Sequence, residues 1–193
     1  TSVATVNNGK VTALKAGTTT ITATTTEDGG FCGGVEKKAT LTVKSPSVTV
    51  KANDNSLCES ETLTLTATLT NCGTGNSIQW YNGVNLINGA NSTTLTISSV
   101  TTANSGNYKA VVSGGILCSN VESTPIAITV NARPNAPILS NPEPICYGTP
   151  FTLPEKDNNK KTITWNVNNR ELTNLSVGPH TYTAKIVENG CES

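Results

Sequence analysis

The sequence predicts an all-β chain built from two-layered antiparallel sandwiches set in series. Three observations predict it. Apolar and hydroxyl residues alternate over several short runs, the period-two signature of a half-buried strand. Gly, Asn and Ser clusters separate those runs roughly every 8–12 residues. A unit of this pattern then recurs along the chain. No stretch reads as an amphipathic helix of useful length.

The elements follow in order. Gly17–Ala23 and Ala39–Val43 alternate Thr with apolar residues on either side of a Gly-rich turn that holds Cys32. Glu61–Leu69 places Leu63, Leu65, Ala67 and Leu69 on one face and Thr on the other. Thr94–Ile97, Asn107–Val112 and Pro125–Val130 repeat the alternation, and Thr162–Val167 and Thr181–Ile186 continue it. Each strand thus has one apolar and one hydroxyl-rich face, so each sheet should bury one side and wet the other. Two short proline-bearing joints, Val43–Ser47 and Asn131–Pro137, divide the chain into residues 1–44, 45–132 and 133–193 and should be semi-rigid.

Composition narrows the function classes. The 193 residues carry 13 basic and 13 acidic side chains, so the formal charge is zero. Polarity comes instead from 33 Thr and 23 Asn. A neutral chain with no basic run has no electrostatic footprint for nucleic acid or anionic membrane. No apolar run approaches the roughly 18 residues of a membrane helix. The first ten residues show no signal peptide, and no Met is present, so the chain is read as a processed product or a fragment.

An internal repeat supports the division. Leu57–Leu65 resembles Ile145–Leu153, with Cys58 and Cys146 at the same place. About twenty residues on, each unit has a Trp in a strand, Trp80 and Trp165. A Tyr follows each Gly-bearing turn, Tyr108 and Tyr182, and a Cys lies nine or ten residues beyond it, Cys118 and Cys191. The first segment matches only the end of this unit. The first and last modules are therefore expected to be incomplete, the last lacking its final strand.

Residues 2–23, SVATVNNGKVTALKAGTTTITA, resemble the second half of a group 2 bacterial immunoglobulin-like domain. Residues 45–132 resemble an immunoglobulin-like sandwich, with Ile78–Tyr81 as strand C bearing the core Trp80. Thr94–Val100 and Asn104–Tyr108 stand as strand E and the turn into strand F. In that family the Tyr caps the corner through its hydroxyl. The usual inter-sheet cysteines are missing here, since Leu65 or Ala67 and Ala110 hold those positions. Residues 138–193, with Ile145-Cys-x-Gly at one end and Asn189-Gly-Cys191 at the other, resemble a shorter relative found in tandem on Bacteroidetes surface proteins, many of which are large adhesins. The resemblance implies a bacterial, extracellular or cell-surface setting, with adjacent immunoglobulin-like modules of the same protein as partners.

Six Cys occur, without a C-x-x-C pair and with the single His remote, so disulfides in an oxidising compartment are expected rather than zinc. Free buried thiols in a cytosolic protein are the alternative. The pairing stays open. The repeat argues for bridges within modules, Cys58–Cys118 and Cys146–Cys191. The immunoglobulin topology puts Cys58 and Cys118 at opposite poles, about 25 Å apart for an eight-residue strand, whereas bridged Cα atoms lie within about 7 Å. Cys72–Cys118 is then the easier bridge, and Cys58–Cys191 would join two modules. Cys146–Cys191 is favoured as the only pair in its own module, and Cys32 is expected to lack its partner.

No catalytic set is present. His180 follows Gly178 and Pro179 at a corner and reads as a solvated turn residue. The carboxylates are scattered and flank turns (Glu27, Asp28, Glu59, Glu61, Asp157), which gives no calcium spacing. No cofactor and no enzyme activity are expected. Trp80 and Trp165 read as core. Tyr81, out of phase with Trp80, and Tyr147, on a turn, are the aromatics left to face a ligand. Asn91 and Asn174 head glycosylation tripeptides taken as chance.

The expected role is a stalk or filament segment of a surface or secreted adhesin. The alternative is a carbohydrate- or protein-binding module that meets surface glycans or host proteins through its pole loops. Self-association through the incomplete end modules is a third expectation.

Overall fold

The computed structural model describes residues 2–25, 34–115 and 118–193. Cys32, Glu27 and Asp28 lie outside the described residues. Among those described, the helical content is a single 3-10 turn, Thr102–Asn104, and no helix is long and apolar enough to cross a membrane.

The chain opens with two antiparallel hairpins. β1 (Ala4–Asn7) pairs β2 (Lys10–Ala13) across Asn8 and Gly9, which both take positive φ as a tight twisted hairpin requires. β3 (Gly17–Thr24) pairs β4 (Glu36–Val43) from Gly17↔Val43 to Thr24↔Glu36.

The next segment closes a two-layer sandwich. One sheet has β5 (Ser47–Ala52), β7 (Leu63–Thr70) and β10 (Thr94–Ile97) in the order β10-β7-β5. The other holds β6 (Ser56–Cys58), β8 (Ser77–Asn82), β9 (Asn85–Leu86), β11 (Gly106–Ser113) and β13 (Ile126–Asn131) in the order β6-β13-β11-β8-β9. β12 (Val121–Glu122) adds to β11. All pairs are antiparallel except β13 with β6, where Val130 faces Leu57.

Alternation fills the space between the sheets. Leu63, Leu65 and Ala67 from β7 meet Ile78 and Trp80 from β8 and Tyr108, Ala110 and Val112 from β11, all buried. The intervening Thr residues of β7 face outward or are only half-covered. Ala110, and either Leu65 or Ala67, stand where antibody domains carry their two inter-sheet cysteines, so close packing joins the sheets at that point.

The corner before β11 is built from side chains. Asn104 Oδ1 accepts the Thr101 N–H at 2.8 Å, and the Tyr108 hydroxyl donates to the Asn104 carbonyl at 2.7 Å. A Cβ on Gly106 would fall 1.9 Å from Asn82 Oδ1 and would push the Asn82 amide aside, and its φ of 157° favours glycine there. Burial pushes the Tyr108 phenol above its ordinary pKa, against an opposing hydrogen bond with Asn82, and keeps it a neutral donor. Tyr108→Phe is expected to lower stability by about 1 kcal/mol while leaving the fold intact. A thermal melt with no change would remove the corner bond from the account.

The last segment is a set of two-residue ladders. β14 (Phe151–Thr152) pairs β16 (Glu171–Leu172), β15 (Thr164–Trp165) pairs β17 (Ala184–Lys185), and β18 (Val187–Glu188) pairs β19 (Cys191–Glu192). The strands expected over Thr162–Val167 and Thr181–Ile186 are therefore much shorter than their alternation implies. Seven of the nine prolines fall between Pro134 and Pro179. Each denies a ladder donor to the stretches that connect and flank those runs, although none lies inside either run. Leu153, Ile163 and Ile186 form a thin buried set, and Trp165, expected in the core, is only half-buried.

Candidate functional site

The most constrained place outside the sandwich core is the joint between the second and third segments. β6 ends at Cys58, and the chain turns through Ser60 at positive φ into β7. Glu61 shapes this turn, its Oε2 accepting the Cys58 N–H at 2.8 Å. Opposite stands the hairpin of β18 and β19, whose Asn189 and Gly190 both take positive φ. Its Cys191 is bonded to Cys58, with Cα atoms 5.6 Å apart.

Arg133 reinforces the bridge from the linker. Its Nε donates to the Glu59 carbonyl at 2.8 Å and its Nη1 to the Glu192 carbonyl at 3.2 Å, so one guanidinium holds both turns. The Glu59 N–H in turn donates to the Asn131 carbonyl at 2.9 Å. Lys185 pairs with the Glu192 carboxylate on the same hairpin.

The second disulfide, Cys72–Cys118, closes the other pole of the sandwich with Cα atoms 4.9 Å apart. Cys146 is free and exposed. The favoured pair Cys146–Cys191 is thus replaced by a bridge across the joint, and Cys58–Cys118 does not form. Geometry explains both results: Cys58 and Cys118 lie at opposite ends of the sandwich, while the Cys191 hairpin faces the turn after β6. The first joint is held differently. Asn71 Nδ2 donates to the Ser45 carbonyl at 3.0 Å, and no disulfide crosses there among the described residues.

Asp157 is a site residue that sequence reasoning left among turn-flanking carboxylates. It is buried, and it accepts backbone N–H groups from Lys161 at 2.8 Å, Asn159 at 3.0 Å and Ile138 at 3.2 Å. It thereby ties the chain leaving the joint to the interior of the last segment. Burial pushes its carboxyl up, but these three donors and the nearby Lys161 ammonium outweigh it and hold the pKa below the usual carboxylate value. A depressed carboxylate stabilises fully above its unfolded pKa, near 3.9, and loses that contribution as pH falls through the folded value. The Ile138 and Lys161 amides are therefore expected to lose hydrogen-exchange protection in acid, and Asp157→Asn should flatten that dependence.

The two candidate ligand-facing tyrosines are not brought together. Tyr81 is half-covered by Lys109, whose ammonium sits 5.7 Å from the ring centroid and pairs with Glu122 at 2.7 Å. Tyr147 is 80% exposed on a turn of the last segment. The aromatics that do converge are Phe151, Trp165 and Tyr182, which line an open groove of about 770 Å³ with Ile145 and several prolines. Trp165 Nε1 is already committed to the Pro154 carbonyl at 2.7 Å. His180 lies on the groove rim, exposed, with Nε2 2.9 Å from the Ser176 carbonyl. No group of three metal-ligating side chains occurs among the described residues.

The two-sheet topology, the buried Trp80 and the tyrosine corner define an immunoglobulin-like β-sandwich from β5 to β13, within a chain whose other segments are also built of β-strands. No protein-family model matches the chain, and no curated protein matches it. Among solved structures it is similar to the three N-terminal domains of the bacteriophage RB49 highly immunogenic outer capsid protein (Hoc). Identity is 19% and the TM-score 0.48, over 77% of this chain and 57% of that one. It is similar to the full ectodomain (Ig1–Ig3) of mouse nectin-like molecule 4 at 18% identity and TM-score 0.40, over 67% of this chain and 49% of that one. It is also similar to the second Ig-C2 domain of human Fc-receptor like A at 14% identity and TM-score 0.36, over 46% of this chain and 98% of that one. The chain spans about half the length of the two multi-domain structures.

Proposed function

We propose that this chain is a stalk segment of a bacterial cell-surface or secreted adhesin, with modules at 1–44, 45–132 and 133–193. Its work is mechanical: it spaces and presents another part of the protein, and it carries no chemistry of its own. The observation that supports this most is the Cys58–Cys191 bridge across a joint. A disulfide adds roughly 2–4 kcal/mol wherever it closes a loop of this kind, and placed between modules it stiffens a string rather than a site. Disulfides of this sort persist outside the reducing cytosol. The bacterial and Bacteroidetes assignment rests on the resemblance of residues 2–23 and 138–193. A screen of the chain against polysaccharides and peptides is expected to show no turnover; catalysis by this segment alone would end the stalk reading.

A second reading has one observation behind it. The groove lined by Phe151, Trp165 and Tyr182 offers flat apolar faces of the kind that stack on sugars or receive a peptide. A glycan array separates the readings: binding lost in Trp165→Ala but kept in Tyr81→Ala and Tyr147→Ala would make the last segment a carbohydrate-binding module.

A further inference from the structure

The turn that carries Cys146 is built like the turn that carries Cys58. In each, the N–H three residues on donates to the cysteine carbonyl at 3.1 Å, from Glu61 to Cys58 and from Thr149 to Cys146. In each, the second residue after the cysteine takes positive φ, Ser60 at 71° and Gly148 at 81°. A strand begins five residues after each cysteine, at Leu63 and at Phe151, and the residue two positions further on, Leu65 or Leu153, is buried. The two turns thus share their carbonyl bond, their positive-φ position and the start of the next strand, although Cys58 also ends a strand paired with β13 and Cys146 lies in no strand. Their cysteines differ in bonding. Cys58 is bonded to the hairpin of the module stacked on it, whereas Cys146 is an exposed thiol flanked by the exposed apolar side chains Ile145 and Tyr147.

We propose that Cys146 is half of a second inter-module staple, whose other half is a hairpin cysteine of another sandwich of this kind. That module would stack end-on against the turn of Cys146–Thr149, as the hairpin of β18 and β19 stacks on the turn after β6. The bonded case defines the cysteine of the occupant, one just past an Asn-Gly hairpin turn, and the exposed Ile145 and Tyr147 add that its module brings apolar surface to cover them. Bond formation joins the two sulfurs and releases two protons. The two electrons pass to the disulfide of a thiol-oxidising protein, which leaves as a dithiol, by exchange through a mixed disulfide. This inference rests on the stalk reading and extends it: the staple becomes a repeating device.

Peptide mapping of the full-length protein, isolated without reductant and alkylated with N-ethylmaleimide before digestion, tests it. The Cys146 peptide is expected unalkylated and linked to a second peptide whose cysteine follows a hairpin turn. A fully alkylated Cys146, a glutathione adduct, or a Cys146–Cys146 link between copies would overturn it. The 193-residue chain made alone in an oxidising compartment provides the second measurement. Cys146 should take one maleimide under native conditions, while Cys58 and Cys191 take none until reduced; a Cys146–Cys191 bond there would also overturn the proposal. Neither readout depends on turnover or ligand binding, so failure of the staple and failure of the stalk reading are distinguishable.

Discussion

Pulled from its two ends, the oxidised chain is expected to release almost none of the length stored between Cys58 and Cys191. Tension arriving at β19 crosses the bridge to β6 and leaves through β5 and the first joint. The sequence separation of 133 is bypassed. At roughly 3.3–3.6 Å per extended residue, reduction should uncover about 440–480 Å of new contour length. The nested Cys72–Cys118 bridge, with a separation of 46, should hold back about 150–165 Å of that until it too is cut. Single-molecule force extension with and without reductant reads both numbers. Cys58→Ser should behave as the reduced outer bridge does in the absence of reductant. Equal release in the oxidised and reduced proteins would mean that the bridge does not carry load.

The second large effect belongs to Trp80. Its ring is fully buried between the sheets, and its Nε1 donates to the Ser92 carbonyl at 2.8 Å. Trp80→Ala removes that packing and strands the carbonyl, at a cost of about 3–5 kcal/mol. For a sandwich of this size, the unfolding midpoint should fall by roughly 15–30 °C. Trp165→Ala is the control. That ring is half-buried beside the open groove, so the loss should be much smaller. Similar losses from the two variants, measured by differential scanning calorimetry, would contradict the contrast in packing.

The contrast between the two Trp residues also shows how far the sequence could be read. Alternation is a local signal, and it located β7 and β11, with Leu63, Leu65, Ala67, Ala110 and Val112 pointing inward. The tyrosine corner was equally legible, because Asn104 and Tyr108 sit four residues apart on one turn. The same alternation misled in the last segment. Around Trp165 the ladder is only two residues long, and Phe151, Trp165 and Tyr182 converge on a groove instead of a core. Cysteine pairing was legible in part: the opposite poles of Cys58 and Cys118 pointed to Cys72–Cys118 and allowed Cys58–Cys191, the two bridges that form, but the choice of Cys58 rather than Cys146 for Cys191 depends on which poles of two modules meet. Asp157 escaped notice for a similar reason. Its donors Ile138 and Lys161 come from both sides of it in the chain, and only folding gathers them.

The two joints have unequal fastenings, and that inequality has a geometrical consequence. At the first joint, the Asn71 amide donates to the Ser45 carbonyl, and no disulfide crosses there among the described residues. At the second, a covalent bond and the Arg133 fork act together. On the stalk reading proposed above, force would be expected to pass through the second joint as through one welded piece, so that any change of direction along the string would have to be taken up elsewhere.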